Sequence, residues 1–151
     1  MIRPATAADA PRLQELHTVS VRALCSSHYE SDVIDGWLLH RRPQSYLPPI
    51  ERGDLFVVED GGNIVGFGEA VPGTIIAVYV DPGAVRSGVG SAIMERALNV
   101  ARRGHIGPLR LESTLNAEAF YRRFGFREVK RSSVQRNHVT VSVVAMELDG
   151  A

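Results

Sequence analysis

Residues 80–90 read Val-Asp-Pro-Gly-Ala-Val-Arg-Ser-Gly-Val-Gly, and this segment is equipped for anion chemistry. It leaves an apolar run and opens an amphipathic one. Unpaired backbone N–H groups at a helix start, reinforced by the helix dipole, make an anion site. Gly88 and Gly90 let a ligand approach the backbone with no Cβ in the way. Ser87 and Ser91 offer hydroxyls and Arg86 offers charge, so the ligand implied is a phosphate or pyrophosphate. A Walker-type triphosphate loop requires Lys and then Ser or Thr after its last glycine. Gly83 and Gly88 have the right separation, but Val89 and Gly90 follow. A dinucleotide fingerprint requires a glycine at position 93, which is Ile93, and a parallel βαβ unit that the flanking runs do not suggest. On these residues alone the segment reads equally as a tight turn from strand into helix.

A second run, Asn116-Ala-Glu-Ala-Phe-Tyr-Arg-Arg-Phe-Gly-Phe126, places Tyr121 beside Phe120 and Phe124. Taken by itself, Tyr121 is a core aromatic with a satisfied hydroxyl. Glu69, just after Gly68, is a candidate general base, because a carboxylate can take a proton from an attacking amine. The plainer reading is a solvent-facing strand glutamate. Glu112 is a weaker candidate of the same kind. Cys25 and His28 suggest a nucleophilic pair, yet no third group sits at a readable spacing, and a buried thiol beside a surface histidine is the simpler account. One cysteine and five histidines without His-x-x-x-His spacing give neither a disulfide nor a metal site.

These residues need elements to hold them. Thr6 and Asp9 have capping-box spacing, ahead of a helix with Leu13, Leu16 and Leu24 near one face. Val33, Ile34, Trp37 and Leu38 predict a second helix over about residues 31–41, after which Pro43, Pro48 and Pro49 break the chain. Leu55–Val58, Ile64–Val71 and Ile75–Val80 predict an antiparallel meander turned by Gly61-Gly62 and Pro72-Gly73. Gly90 opens a long helix with an apolar stripe of Ile93, Ala97, Val100 and Ala101, widened by Met94 and Leu98 and stopped at Gly104. A strand at Leu109–Ser113, a short helix from Ala117 to Phe124 and strands over 126–135 and 139–148 complete the chain. In the last strand Val139, Val141, Val143 and Ala145 share a face. Such an order implies an α+β layered domain with a mixed sheet.

The 151 residues suit a single domain, residues 1–151. Seventeen Lys and Arg balance seventeen Asp and Glu, which gives no basic footprint for nucleic acid. Hydrophobic residues at 44% and charged residues at 23% exclude a disordered chain. The chain start lacks the apolar core of a signal peptide, and the uncharged stretch Ala70–Val80 is too short for a bilayer, which takes about 20 apolar residues. The expectation is a cytoplasmic protein with neither a nucleic-acid nor a membrane partner.

Taken together, the 80–90 loop and the 116–126 run resemble the GNAT superfamily of acyl-CoA-dependent N-acetyltransferases. That family joins a Val-x-Pro segment, an Arg/Gln-x-x-Gly-x-Gly/Ala loop and a long helix to a later Asn, an aromatic-Tyr pair and Gly-Phe. The resemblance covers residues 55–126 and departs at Val85, where the family usually has Arg or Gln. It implies a GNAT-like α+β domain whose mostly antiparallel sheet carries helices on both faces. It also implies acetyl-CoA as acyl donor to a small-molecule or peptide amine, with direct attack in a ternary complex. Residue by residue, Val78, Tyr79 and Val80 would splay from Leu111–Ser113 and pair with the pantetheine arm. The amides of Arg86, Ser87, Gly88, Val89, Gly90 and Ser91 would hold the pyrophosphate, Asn116 would bond the arm, and Tyr121 would sit at the thioester sulfur. The family varies over the segment that carries His28, Tyr29, Trp37 and Tyr46, so these residues are expected to line the acceptor pocket. Family members are often homodimers, although no interface is legible in the residues. A non-catalytic acyl-CoA-binding or regulatory module on the same fold is the alternative.

Overall fold

A computed structural model describes residues 1–150. Seven strands form one sheet in the order β1-β2-β3-β4-β5-β7-β6. They are β1 (Ile2–Pro4), β2 (Leu55–Asp60), β3 (Asn63–Val71), β4 (Thr74–Val80), β5 (Leu109–Ser113), β6 (Arg127–Arg136) and β7 (Val139–Leu148). The helices are α1 (Ala10–Leu24), α2 (Ser31–Leu38), α3 (Leu47–Arg52), α4 (Val89–Arg102) and α5 (Glu118–Arg122). Every pairing is antiparallel except that of β4 with β5. The expected α+β architecture, with a mixed and mostly antiparallel sheet between helical layers, is the one observed.

On one face, α4 buries Ile93, Met94, Ala97, Leu98 and Ala101 against β3, β4 and β5. Two glycines of β3 permit that close approach. A Cβ on Gly66 would stand 2.8 Å from Ile93 and Val89, and one on Gly68 would stand 2.6 Å from Phe56 and 2.7 Å from Ile93. The glycines that weaken β3 as a strand thus bring the start of α4 down onto the sheet. On the other face, α1 packs Leu13 and Leu16 on Val57 and Phe67, while α2 packs Ile34 and Trp37 on Val141 and Val143. β7 keeps its alternation and is buried on both faces. Val141 and Val143 face α2, whereas Val144 and Met146 are buried on the α4 side.

Three elements differ from the sequence expectation. The Thr6 N–H donates to the Asp9 carboxylate at 2.7 Å, but that motif caps a single 3-10 turn over Ala7–Asp9 and α1 proper begins at Ala10. Helix α2 ends at Leu38, not near residue 41. His40 is left-handed at φ +67°, and Asn137 Nδ2 donates to the carbonyls of Gly36 and Leu39, both at 2.8 Å. Pro48 and Pro49 start α3 where a break was expected, because a proline in a first turn forfeits no intrahelical bond.

Candidate active site

β4 and β5 touch only at their N-terminal ends. Thr74 is registered with Arg110, the Arg110 N–H donates to the Gly73 carbonyl at 2.9 Å, and the strands then separate. The cause lies in β4. Glu69 faces Ala77 and Ala70 faces Ile75, so Ile76 is an extra residue that bulges the strand just beyond its last pairing with β5. A bulge bends its strand and increases local twist. The result is a V-shaped opening that leaves the β5-facing backbone of Val78–Val80 without a strand partner.

The glycine loop stands at the wide end of that opening. Val80 leads to Asp81, whose carboxylate accepts from the Gly83 N–H at 2.9 Å and from Arg12 at 2.9 Å, pinning the turn. Arg86 and Gly88 are both left-handed, at φ +70° and +88°. Gly88 is the N-cap of α4, and a Cβ there would meet open space. The N–H groups of Val89, Gly90 and Ser91 have no intrahelical acceptor, as helix geometry requires. Gly90 lies under Phe120, which a Cβ would approach to 3.1 Å. The Ser87 hydroxyl is turned back onto the Ala84 carbonyl. Val85 is exposed and extended, so the site's donors at this end are backbone groups.

Across the opening, Asn116 Oδ1 accepts from the Cys25 thiol at 3.2 Å. Burial pushes that thiol up to about 11, which keeps it protonated and makes it a poor nucleophile. Tyr121 is 7% exposed, with its ring 5.3 Å from that of Phe120 and 6.3 Å from that of Phe126. Its hydroxyl bonds to no described residue. Burial, with Tyr79 nearby, raises it above the ordinary phenol range, so it holds its proton at neutral pH.

The sheet face opposite α4 carries a cavity of about 200 Å³ between β3, β4, β5, β7, α1 and the α2–α3 connection. Its apolar lining includes Trp37, Tyr46, Phe67, Tyr79, Val141 and Val143, and its charged lining consists of Arg41, Glu69, Glu112 and Arg136. Burial raises the Glu69 carboxyl above its usual range, against the opposing pull of Arg52, which lies 4.0 Å away. Tyr79 points into this cavity, while its neighbours Val78 and Val80 pack on the α4 side. Burial pushes its phenol up to about 12. His17 stacks on it with centroids 4.1 Å apart and shares a 2.8 Å hydrogen bond with the Tyr46 hydroxyl.

Of the residues expected around an acceptor, only Trp37 and Tyr46 line the cavity. His28 is exposed on the α1–α2 connection and bonds to Ser27 Oγ at 2.9 Å. Tyr29 stands behind Trp37, 5.5 Å from its ring, and its hydroxyl is occupied by the backbone. Neither lines the cavity: His28 faces solvent, and Tyr29 is packed into the α2–β7 cluster. Sequence reading offered Arg136, with His138, only as a second location for the pocket, and passed over His17, Arg41, Phe67 and the Tyr79 side chain as wall residues. For two of them a signal existed. His17 sits in the α1 stripe with Leu13, Leu16, Ser20 and Val21, and Phe67 alternates with the two glycines of β3. Among the described residues, no group of three or more His, Cys, Asp or Glu could hold a metal, and no helix is long and apolar enough to cross a membrane.

The family described as "Acetyltransferase (GNAT) domain" matches residues 51–128, just over half of the chain. The uncharacterized N-acetyltransferase YafP of Escherichia coli strain K12 is 25% identical over 125 residues, which cover 81% of this chain and 79% of that protein. A GCN5-related N-acetyltransferase from Rhodopseudomonas palustris superposes with a TM-score of 0.93 at 20% identity, covering 99% of this chain and 95% of that one. The PaiA N-acetyltransferase of Thermoplasma acidophilum, solved in complex with coenzyme A, superposes with a TM-score of 0.78 at 16% identity, covering 99% and 98%. These structures share the fold of this chain. The chain belongs to the GNAT family of acetyltransferases, which take their acetyl group from acetyl-CoA.

Proposed function

We propose that this protein acetylates a primary amine by direct attack of the amine on acetyl-CoA held in a ternary complex. The observation that carries the reading is the divergence of β4 from β5, which joins a backbone-lined slot on one side to a cavity of about 200 Å³ on the other. The slot suits the donor. The N–H groups of Val89, Gly90 and Ser91, with those of Arg86, Ser87 and Gly88, hold the pyrophosphate. The free edge of Val78–Val80 pairs with the amides of the pantetheine arm, and Asn116 Nδ2 donates to that arm while its Oδ1 stays with Cys25.

The cavity suits the acceptor. Glu69, ionised and facing it, takes the proton that an alkylammonium must lose before its nitrogen can attack. The N–C bond then forms as the C–S bond breaks, and the sulfur leaves with an electron pair. Tyr121, protonated and within the donor's reach, supplies a proton to that sulfur and is reprotonated by the second proton that the nitrogen sheds as the amide forms. Burial serves the two transfers differently: it makes the Glu69 carboxylate a stronger base, opposed by the pull of Arg52 and Arg41 toward the ionised form, and it keeps the Tyr121 phenol neutral. A thiol as inert as that of Cys25 leaves the direct route in place of a covalent acetyl-enzyme. Trp37 packs on the acceptor's apolar part.

The test is thiol release from acetyl-CoA across a panel of primary amines, with acetyl-CoA binding followed by calorimetry. Amine-dependent thiol release is expected. Tight acetyl-CoA binding with no acetylated product from any amine would instead favour a binding module on the same fold.

A further inference from the structure

The cavity wall is bipolar. Glu69 and Glu112 come from β3 and β5, on either side of β4, while Arg41 and Arg136 come from the α2–α3 connection and the end of β6. The two arginines form no ion pair among the described residues, although nearby Arg52 pairs with Asp54 at 3.0 Å. Arg41 is also fixed in place. Its carbonyl accepts from Gln14 Nε2 at 2.8 Å, and its guanidinium lies over the Tyr46 ring, 5.3 Å from the centroid. Among the described residues, Arg41 has Tyr46 beside it and no carboxylate in ion-pair contact, and Arg136 donates only to the Gln135 carbonyl at 3.2 Å. Each guanidinium therefore has donors left over, and a planar carboxylate matches them two at a time. At the other pole, Glu69 suits an ammonium. Arg41 also acts through space on the Glu69 carboxyl, so the two charges are near neighbours, as the ammonium and carboxylate of one α-carbon require. Trp37, Phe67, Tyr79, Val141 and Val143 line the rest of the cavity. The volume, about 200 Å³, is below the roughly 300–1,000 Å³ of sites for drug-sized ligands.

We infer that the acceptor is a free amino acid with an apolar side chain, its carboxylate held by Arg41 and Arg136, its amine facing Glu69 and its side chain on the aromatic wall. The inference rests on the acetyl-transfer reading above and narrows it. A polyamine would leave the two guanidinia unmatched and add positive charge beside them. A lysine of a folded protein would bring no free carboxylate to the two guanidinia.

The experiment compares matched amines on the full chain with acetyl-CoA. L-phenylalanine is set against 2-phenylethylamine and L-phenylalanine amide, and L-leucine against 3-methylbutylamine. A kcat/KM at least about tenfold higher for the amino acid than for its carboxylate-free partners is expected, as the loss of a charge-assisted pair implies. Arg41→Gln and Arg136→Gln should each shrink that ratio severalfold, acting through the KM of the amino acid. A ratio near one in the unaltered protein, a ratio unmoved in both variants, or acetyl-CoA binding without turnover of either amino acid overturns the inference. Calorimetry separates this from failure of the underlying reading: if acetyl-CoA itself does not bind, the acetyl-transfer function falls and the acceptor inference falls with it.

Discussion

The Tyr29 hydroxyl donates to the Ser142 carbonyl at 2.6 Å, and the same oxygen accepts from the Leu115 N–H at 3.0 Å. One phenol therefore ties β7 to the residue that follows β5 and precedes Asn116. It anchors the β5 side of the opening, just where the proposed pantetheine contact begins.

Removing that tie should act on the donor. Tyr29→Phe leaves a backbone donor and acceptor unpaired, at a cost of about 1–3 kcal/mol. Urea unfolding should show this loss, and calorimetry should show acetyl-CoA affinity falling severalfold. Trp37→Ala should do the reverse, raising the acceptor's KM more than that of acetyl-CoA, because Trp37 faces the cavity and Tyr29 does not.

Tyr121→Phe keeps the ring packed against Phe120 and Phe126 and removes only the hydroxyl. The expected result is a kcat reduced by at least about tenfold, with acetyl-CoA affinity changed far less. An active, folded Tyr121→Phe protein would pass the acid role to water.

Glu69 should set the acidic limb of the pH–rate profile. Base catalysis needs the carboxylate, so kcat/KM falls as pH drops through a value above the ordinary glutamate range, in the direction burial shifts it. Glu69→Gln should abolish that limb and lower the rate about 10²–10⁴-fold. Arg52 pulls the Glu69 carboxyl downward, so Arg52→Gln should move the limb to higher pH.

Gly88→Ala tests the loop without introducing a clash, since a Cβ there meets open space. The strain is in the backbone, because φ is +88° and the left-handed region costs an ordinary residue about 1–2 kcal/mol. Relaxing that strain rotates the Val89–Ser91 N–H groups away from their common target. Acetyl-CoA affinity is expected to drop at least about tenfold by calorimetry, with fold retained by circular dichroism.

His17 should make stability pH-dependent. Burial, with the Arg41 charge adding to it, pushes its imidazole down to about 3, whereas the unfolded chain titrates near 6.5. The folded-state value is the depressed one. Its contribution is therefore fully present above about pH 6.5 and drains as the pH falls toward 3. Between pH 7 and pH 5 the loss is about 2 kcal/mol. Urea midpoints should fall over that range in the unaltered protein and fall less in His17→Phe. Glu69, whose raised value acts in the opposite direction, is common to both proteins and cancels in the comparison.

The local architecture was legible wherever one residue's own chemistry decides it. The 88–90 glycines mark the turn into α4, and Gly104 follows its end. The 93–101 stripe names the buried face of α4. What failed locally did so by competition. Helix α2 stops early because Asn137, almost a hundred residues away, takes the Gly36 and Leu39 carbonyls, and Pro48 and Pro49 begin α3 because the chain had already turned.

The proposed acceptor side was decided by tertiary structure. Its cavity gathers His17 from α1, Arg41 from a loop, Phe67 and Glu69 from β3, Tyr79 from β4, and Val141 and Arg136 from the final hairpin. No spacing along the chain records that gathering. The extra residue at Ile76 parts β4 from β5, and the twist of the sheet determines which side chains converge behind the gap. Sequence determines the proposed donor slot because its proposed donors are consecutive backbone amides. The acceptor cavity is a meeting of side chains from separate strands, and only the packed sheet brings them together.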